Sequence, residues 1–145
     1  MNIVIEHDSF LQGIVTDYKG VRRPWIGSDK DPLYKQYRYN TGIDIYCDKV
    51  YSYANGTIVA VGSNGRTKSV TVQYDVFSCL RYENLSEVSV AVGEIIQAGF
   101  YVGKAHSYLH FEYITKGKDS SLWPVRIGSE TYYKQNPISL LGVIG

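Results

Sequence analysis

The residues of this chain best suited to metal binding or catalysis are Asp44, in the segment YNTGIDIYC, and His110, in the segment SYLHFEYIT. Side chains alternate along an extended strand, so Asp44 is expected to share a face with Asn40 and Tyr46. If the two segments are neighbouring strands, a carboxylate and an imidazole meet there, as in mixed His/Asp zinc sites. Taken alone, such short patterns more often serve structure, with Asp44 binding loop amides and His110 lying in the interior.

Further polar side chains follow the same face of the segment that carries His110. His106, Tyr108 and Glu112 are each an even number of residues from His110, so one long strand presents all four together. His106 then offers a second imidazole as ligand or base, and Tyr108 offers a phenolic hydrogen-bond donor. This face is the candidate site that the remaining elements must position.

The elements around these segments are predicted to be strands. Short alternating or β-branched runs recur between Gly, Asn and Ser, and no segment keeps a helical period. The segment SNGRT is expected to be a hairpin turn, and Ser28 to Gln36 a polar loop. The fold class is therefore all-β and mainly antiparallel. The predicted strands are Ile3–Ile5, Ile14–Tyr18, Gly42–Cys47, Thr57–Gly62, Ser69–Tyr74, Ser78–Glu83, Val88–Val92, Tyr101–Lys104 and Tyr108–Thr115.

Length and composition predict a single domain over residues 1–145, with its core at about 39–115. The chain is 44% hydrophobic and 20% charged, and its formal net charge of +1 gives no reason to expect nucleic acid as a partner. We expect no membrane insertion, because no stretch reaches the roughly 20 apolar residues of a spanning helix. The N-terminal segment does not resemble a secretory signal. Cys47 and Cys79, the only cysteines, are interpreted as buried free thiols.

Four segments in order carry a family resemblance: NTGIDI, ANGTIVAVG, YENLSEVSVAVGEIIQAGFYVG and YLHFEY, between Tyr39 and Tyr113. This succession resembles the lysostaphin-type (LytM-like) zinc endopeptidases, which cut peptidoglycan cross-bridges. The resemblance implies a barrel-sandwich core of the duplicated hybrid motif type. The segment VAVGEIIQAG also resembles the hinge of lipoyl and biotinyl carrier domains, but neither Lys49 nor Lys104 has the neighbourhood of a modified lysine.

The resemblance implies a degenerate zinc site. Asp44 and His110 match two of the family's three zinc ligands, whereas Asn40 stands in place of the third, a histidine. Asn84 and Tyr108 stand in place of the two catalytic histidines, so no catalytic residue is expected. An amide oxygen is a weaker zinc donor than imidazole, so we expect no cofactor or at most weakly held zinc. Loss of acid–base help alone typically costs a factor of 10²–10⁴ in rate.

The function expected from the resemblance is binding or assembly by a domain that no longer hydrolyses peptidoglycan. Its partner would be peptidoglycan or a protein of a phage tail or cell envelope; the compartment stays open, with a virion favoured. The alternatives are tyrosines that only plug the vacated site, and a working zinc endopeptidase with an altered ligand set. The candidate recognition surface comprises Asn40, Tyr46, Tyr82, Asn84, His106 and Tyr108.

Overall fold

The computed structural model describes residues 19–117, 123–137 and 140. The strands predicted at Ile3–Ile5 and Ile14–Tyr18 lie outside the described residues. In chain order the elements are β1 (Val21–Arg23), α1 (Tyr34–Tyr37), β2 (Ile43–Tyr46), β3 (Lys49–Tyr51), β4 (Gly56–Ser63), β5 (Lys68–Gln73), β6 (Ser78–Val88), β7 (Ile95–Ile96), β8 (Tyr101–Thr115), β9 (Pro124–Ile127) and β10 (Glu130–Gln135).

The strands form one antiparallel sheet whose main path runs β1-β2-β8-β6-β5-β4-β7. The 15-residue strand β8 is its centre: β6 pairs along most of it, and β3, β2 and β10 pair with successive parts of it. The prediction of a mostly antiparallel β protein is confirmed. None of the helices in the described residues has the length and apolar character needed to cross a membrane.

Alternation along β8 separates the core from the candidate site. Leu109 and Phe111 are fully buried in the main hydrophobic cluster, together with Leu80 and Tyr82 of β6. His110, which lies between Leu109 and Phe111, projects to the opposite face. Hydrophobic packing on one face therefore fixes which polar side chains meet on the other.

A glycine in front of β2 lets that strand approach β8 where the candidate residues pair. A Cβ at Gly42 would lie 2.2 Å from the carbonyl oxygen of Phe111, so no larger residue fits there without moving backbone. The close approach sets the register that places Asp44 opposite His110.

Three predicted boundaries need correction. The strands predicted at Tyr101–Lys104 and Tyr108–Thr115 are one continuous strand, with Ser107 at φ 77° where the pairing is irregular. The strand predicted at Val88–Val92 is wrong beyond Val88, because turns take over near Gly93, whose φ is 96°. The predicted loop 28–36 runs into the short helix α1.

Two smaller predictions hold. The hairpin turn between β4 and β5 is closed by Asn64, whose Oδ1 accepts hydrogen bonds from the backbone N–H groups of Arg66 and Thr67. Cys47 and Cys79 are both buried thiols that form no disulfide, as predicted.

Candidate functional site

Asp44 and His110 meet at the centre of the sheet. They are direct partners in the antiparallel register of β2 and β8, so their side chains project to the same face. The Nδ1 atom of His110 lies 2.6 Å from Oδ1 of Asp44, whose side chain is only 3% exposed. The structure thus brings together the carboxylate and imidazole that strand alternation places on one face, but the two groups bind each other.

The second nitrogen of His110 is also engaged. Its Nε2 atom lies 2.9 Å from Oε2 of Glu112 and 3.1 Å from the hydroxyl oxygen of Thr41. Thr41 itself donates a hydrogen bond of 2.6 Å to Oε2 of Glu112. Glu83 of β6 is more distant, with Oε1 at 3.9 Å from the same nitrogen. The imidazole is therefore held from both ends by acidic groups.

Fixed cations surround these carboxylates. The Nη1 atom of Arg22 lies 3.0 Å from Oδ2 of Asp44. Arg81 binds two acidic residues, with Nη1 at 2.8 Å from Glu112 and Nη2 at 2.6 Å from Glu83. Glu112 receives a second cation at 3.0 Å, the ammonium group of Lys134 from β10. The three carboxylates Asp44, Glu83 and Glu112 are thus balanced by three permanently or normally charged side chains before His110 is counted.

The network shifts the protonation of its members. Burial lowers the pKa of His110, but hydrogen bonds and charge from Asp44 and Glu112 more than offset this and raise the pKa to about 9. Burial raises the pKa of Glu112, yet its bond to His110 and the nearby cations bring the pKa down to about 2. Burial, followed by the charge of Glu112, raises the pKa of Glu83. At neutral pH His110 is therefore an imidazolium, which cannot ligate a metal until it loses a proton.

Asn40 does not face this network. Its backbone forms an isolated bridge with Ile26, and its buried side-chain amide donates to the carbonyl oxygens of Arg23 and Pro24. The strand β2 begins only at Ile43, so the regular alternation that would place Asn40 beside Asp44 does not extend back to it. The side chain of Thr41 contacts His110 instead.

Asn84 serves the backbone of β8. Its φ of 68° lies in the left-handed region, opposite the irregularity at Ser107. The Asn84 side-chain amide donates to the carbonyl oxygens of His106 and Tyr108, at 3.0 and 2.9 Å. The amide therefore binds the backbone of β8 on both sides of Ser107, where the strand pairing is irregular.

The remaining predicted surface residues divide into exposed and buried ones. Tyr46 is 43% exposed and lies opposite the half-buried Tyr108, while His106 is exposed. The prediction that Tyr82 lines a recognition surface is wrong, because its side chain is fully buried and packs on Phe111. Its hydroxyl accepts a hydrogen bond from a backbone N–H, and burial raises its pKa to about 12.

A polar groove of about 470 Å³ opens beside His110. It is lined by residues of β6 and β8 and of the hairpin of β4 and β5. The lining residues are Gly62, Ser63, Asn64, Thr67, Lys68, Ser69, Arg81, Glu83, Asn84 and His110.

Neither donor set in this region fits a zinc ion as it stands. In the set implied by the resemblance, Asn40 points away and both oxygens of Asp44 are bound, one by His110 and one by Arg22. A second set, formed by Glu83, His110 and Glu112, offers one ligand atom from each residue, all within 4.8 Å of one another. Those carboxylates already bind Arg81, and a dication entering there would meet its guanidinium.

The fold is that of a peptidase-type β domain. The chain belongs to peptidase family M23, whose sequence profile matches residues 38–121, more than half of the chain. Among proteins of curated function, none matches the sequence.

Solved structures of this fold show the same architecture at low identity. A zinc-containing peptidase from Vibrio cholerae has a TM-score of 0.57 at 19% identity, over 68% of this chain and 34% of that one. The SpoIIQ–SpoIIIAH pore-forming complex gives 0.66 at 20% identity, over 88% and 87%. Lysostaphin from Staphylococcus simulans gives 0.59 at 20% identity, over 94% and 52%. This chain thus spans about a third of the Vibrio peptidase and about half of lysostaphin.

Sequence reasoning missed most of the network's charged members. Glu112 was recognisable as sharing a face with His110, and Arg81 and Glu83 show the same two-residue spacing on β6. No local signal connects Arg22 or Lys134 to the site, because each is brought there by strand pairing with β2 or β8.

Proposed function

We propose that this M23 domain acts by binding or assembly and does not hydrolyse peptidoglycan. One observation carries the proposal: the carboxylate of Asp44 is satisfied by His110 and Arg22, so no metal is needed to neutralise it. A zinc hydrolase needs three strong protein donors and an open position for water. Here the two matched donors bind each other, and Asp44 also binds the guanidinium group of Arg22.

Peptidoglycan or a protein of a phage tail or cell envelope is the proposed partner. Membership of family M23 supports the peptidoglycan class. The likeness to a chain of the SpoIIQ–SpoIIIAH complex supports use of the fold in a protein assembly, although at 20% identity only the fold is shared. The contact surface would combine the polar groove with the exposed Tyr46 and His106 and the half-buried Tyr108, since aromatic side chains bury area at low entropic cost.

The catalytic half of the proposal is tested on the purified full chain. Elemental analysis after dialysis without chelator should give well under one zinc per chain, and no cleavage of peptidoglycan or of cross-bridge peptides should be detected. Stoichiometric zinc together with cleavage would overturn the proposal.

The binding half is tested by co-sedimentation with peptidoglycan and by capture of envelope or virion proteins. Tyr46→Ala and Lys68→Glu alter opposite sides of the surface and should weaken binding at least several-fold. Tyr74→Ala is the matched control, because Tyr74 is 38% exposed but does not line the groove. Equal binding by all three variants would mean that the tyrosines only fill the vacated site and do not contact a partner.

A second candidate function is metallopeptidase activity with an altered ligand set. The observation favouring it is the convergence of Glu83, His110 and Glu112 on one point. This alternative predicts zinc that is bound tightly and is lost in Glu83→Gln. A metal content that is low in both proteins would dismiss it.

A further inference from the structure

The guanidinium group of Arg22 contacts two positions that the family resemblance assigns to the zinc site. Its Nη1 atom lies 3.0 Å from Oδ2 of Asp44, and its Cζ atom lies 4.3 Å from the centre of the Tyr108 ring. Asp44 matches a zinc ligand, and Tyr108 stands where a catalytic histidine is expected. One side chain of β1 therefore contacts both.

A nearly buried carboxylate requires a positive partner, because an uncompensated buried charge is strongly destabilising. In a zinc site the metal supplies that charge. Here the Asp44 side chain is 3% exposed, and Arg22, 34% exposed, supplies it directly. The guanidinium group suits this position because it is planar and always charged, and it stacks on an aromatic face such as that of Tyr108.

The neighbouring Arg23 does not play the same part. Its Nη1 atom is 4.0 Å from Asp44, and its Nη2 atom donates to the carbonyl oxygens of Tyr37 and Tyr39. Arg23 therefore fastens the segment around α1, whereas Arg22 makes the short hydrogen bond to the carboxylate.

We infer that Arg22 is a built-in cation that takes over the charge-balancing role of the zinc ion and holds the site together without metal. The inference rests on the proposed function, which states that zinc is absent. It adds a separate claim, that Arg22 and a divalent cation exclude each other at Asp44. A positive charge about 3 Å from a metal ligand opposes the entry of a dication by simple electrostatics.

The first test is calorimetric titration of full-length protein with Zn²⁺ at pH 7.5. Arg22→Met removes the charge but keeps much of the side-chain volume, and should bind zinc at least tenfold more tightly than the wild type. Arg22→Lys keeps a charge and should stay within a few-fold of the wild type. Arg66→Met is the control, since Arg66 lies in the exposed β4–β5 turn. If Arg22→Met gains no affinity, or if Arg66→Met gains as much, the inference is overturned.

The second test measures urea unfolding midpoints without metal. Arg22→Met should lower the midpoint, and the loss should shrink by at least half in an Asp44→Asn background. Arg22→Lys, which keeps the charge, should lower the midpoint by less than half as much as Arg22→Met does. This comparison tests the role of the charge even if the Asp44→Asn variant does not fold. Equal losses for Arg22→Met and Arg22→Lys would mean that only packing is involved. Zinc analysis of the wild type remains the separate test of the proposed function.

Discussion

At the scale of single residues, the site depends on how its charges compensate one another. Asp44 and His110 carry the chemistry expected of a zinc-site remnant, but each makes its shortest contact with the other. His110 is flanked by acidic groups on both nitrogens, and the fold therefore favours its charged form. A histidine in this state contributes an ion pair to stability.

The stability of the domain should depend on pH through His110 and its partner Glu112. The pKa of His110 rises from 6.5 to about 9 on folding, so its contribution is complete below about pH 6.5 and disappears as the pH rises through 9. The pKa of Glu112 falls from 4.5 to about 2, so its contribution is present above about pH 4.5 and disappears as the pH falls through 2. Urea unfolding should accordingly show greatest stability between about pH 4.5 and 6.5.

His110→Gln provides the check on this assignment. It should be less stable than the wild type at pH 6, and its stability should change less between pH 6 and pH 9 because the titrating imidazole is gone. An equally steep alkaline decline in the variant would assign that decline to another group.

At the scale of elements, β8 decides the geometry because four strands pair with it. Two residues set the register of β8 near the site. Gly42 lets β2 approach the Phe111 carbonyl, and Asn84 of β6 bridges the carbonyl groups on either side of Ser107. Asn84, at a position where the family resemblance implies a catalytic histidine, thus binds the backbone of β8.

Gly42→Ala should destabilise the domain by about 1–3 kcal/mol, because its methyl group would meet a backbone oxygen that cannot move alone. The matched control is Gly117→Ala, where an added Cβ meets nothing within 4 Å. Chemical denaturation of the two variants checks the difference. Similar stabilities would show that β2 and β8 separate at little cost.

Asn84→Ala should cost about 1–3 kcal/mol, because it removes two hydrogen bonds and places at φ 68° a residue that adopts the left-handed region less readily than asparagine. Asn84→Gly should cost less, since glycine adopts a positive φ freely. If both substitutions destabilise equally, the hydrogen bonds account for the whole effect, and equal stability to the wild type would contradict the bridging role.

At the scale of the whole molecule, the described sheet is held by its hydrophobic core and ion pairs. The main cluster extends from β2 to β8 and includes fully buried residues of β4, β5 and β6. On the opposite face Arg22 joins β1 to β2, and Arg81 and Lys134 join β6 and β10 to β8, through the carboxylates that they bind.

The thermal unfolding midpoint should therefore be insensitive to metal removal. Treatment with a millimolar excess of EDTA should leave the midpoint of the full chain unchanged within about 1 °C. Removing a ligand lowers the midpoint only if that ligand binds the folded state, and the proposed function expects no bound metal ion. Differential scanning calorimetry measures this directly. A midpoint lowered by EDTA and restored by zinc would mean that the native protein holds a structural or catalytic ion.

The amino-acid sequence alone was enough to predict the β class, the family resemblance and the shared face of His110 and Glu112. That shared face was predictable because side-chain alternation is a local property of each strand. The folded structure was needed to establish that Asn40 turns away, that Tyr82 is buried and that Arg22 reaches Asp44. Those outcomes depend on where strands begin and which strands pair. The Arg22–Asp44 bond spans 22 positions and the Asp44–His110 bond spans 66, and no local pattern encodes contacts at such separations.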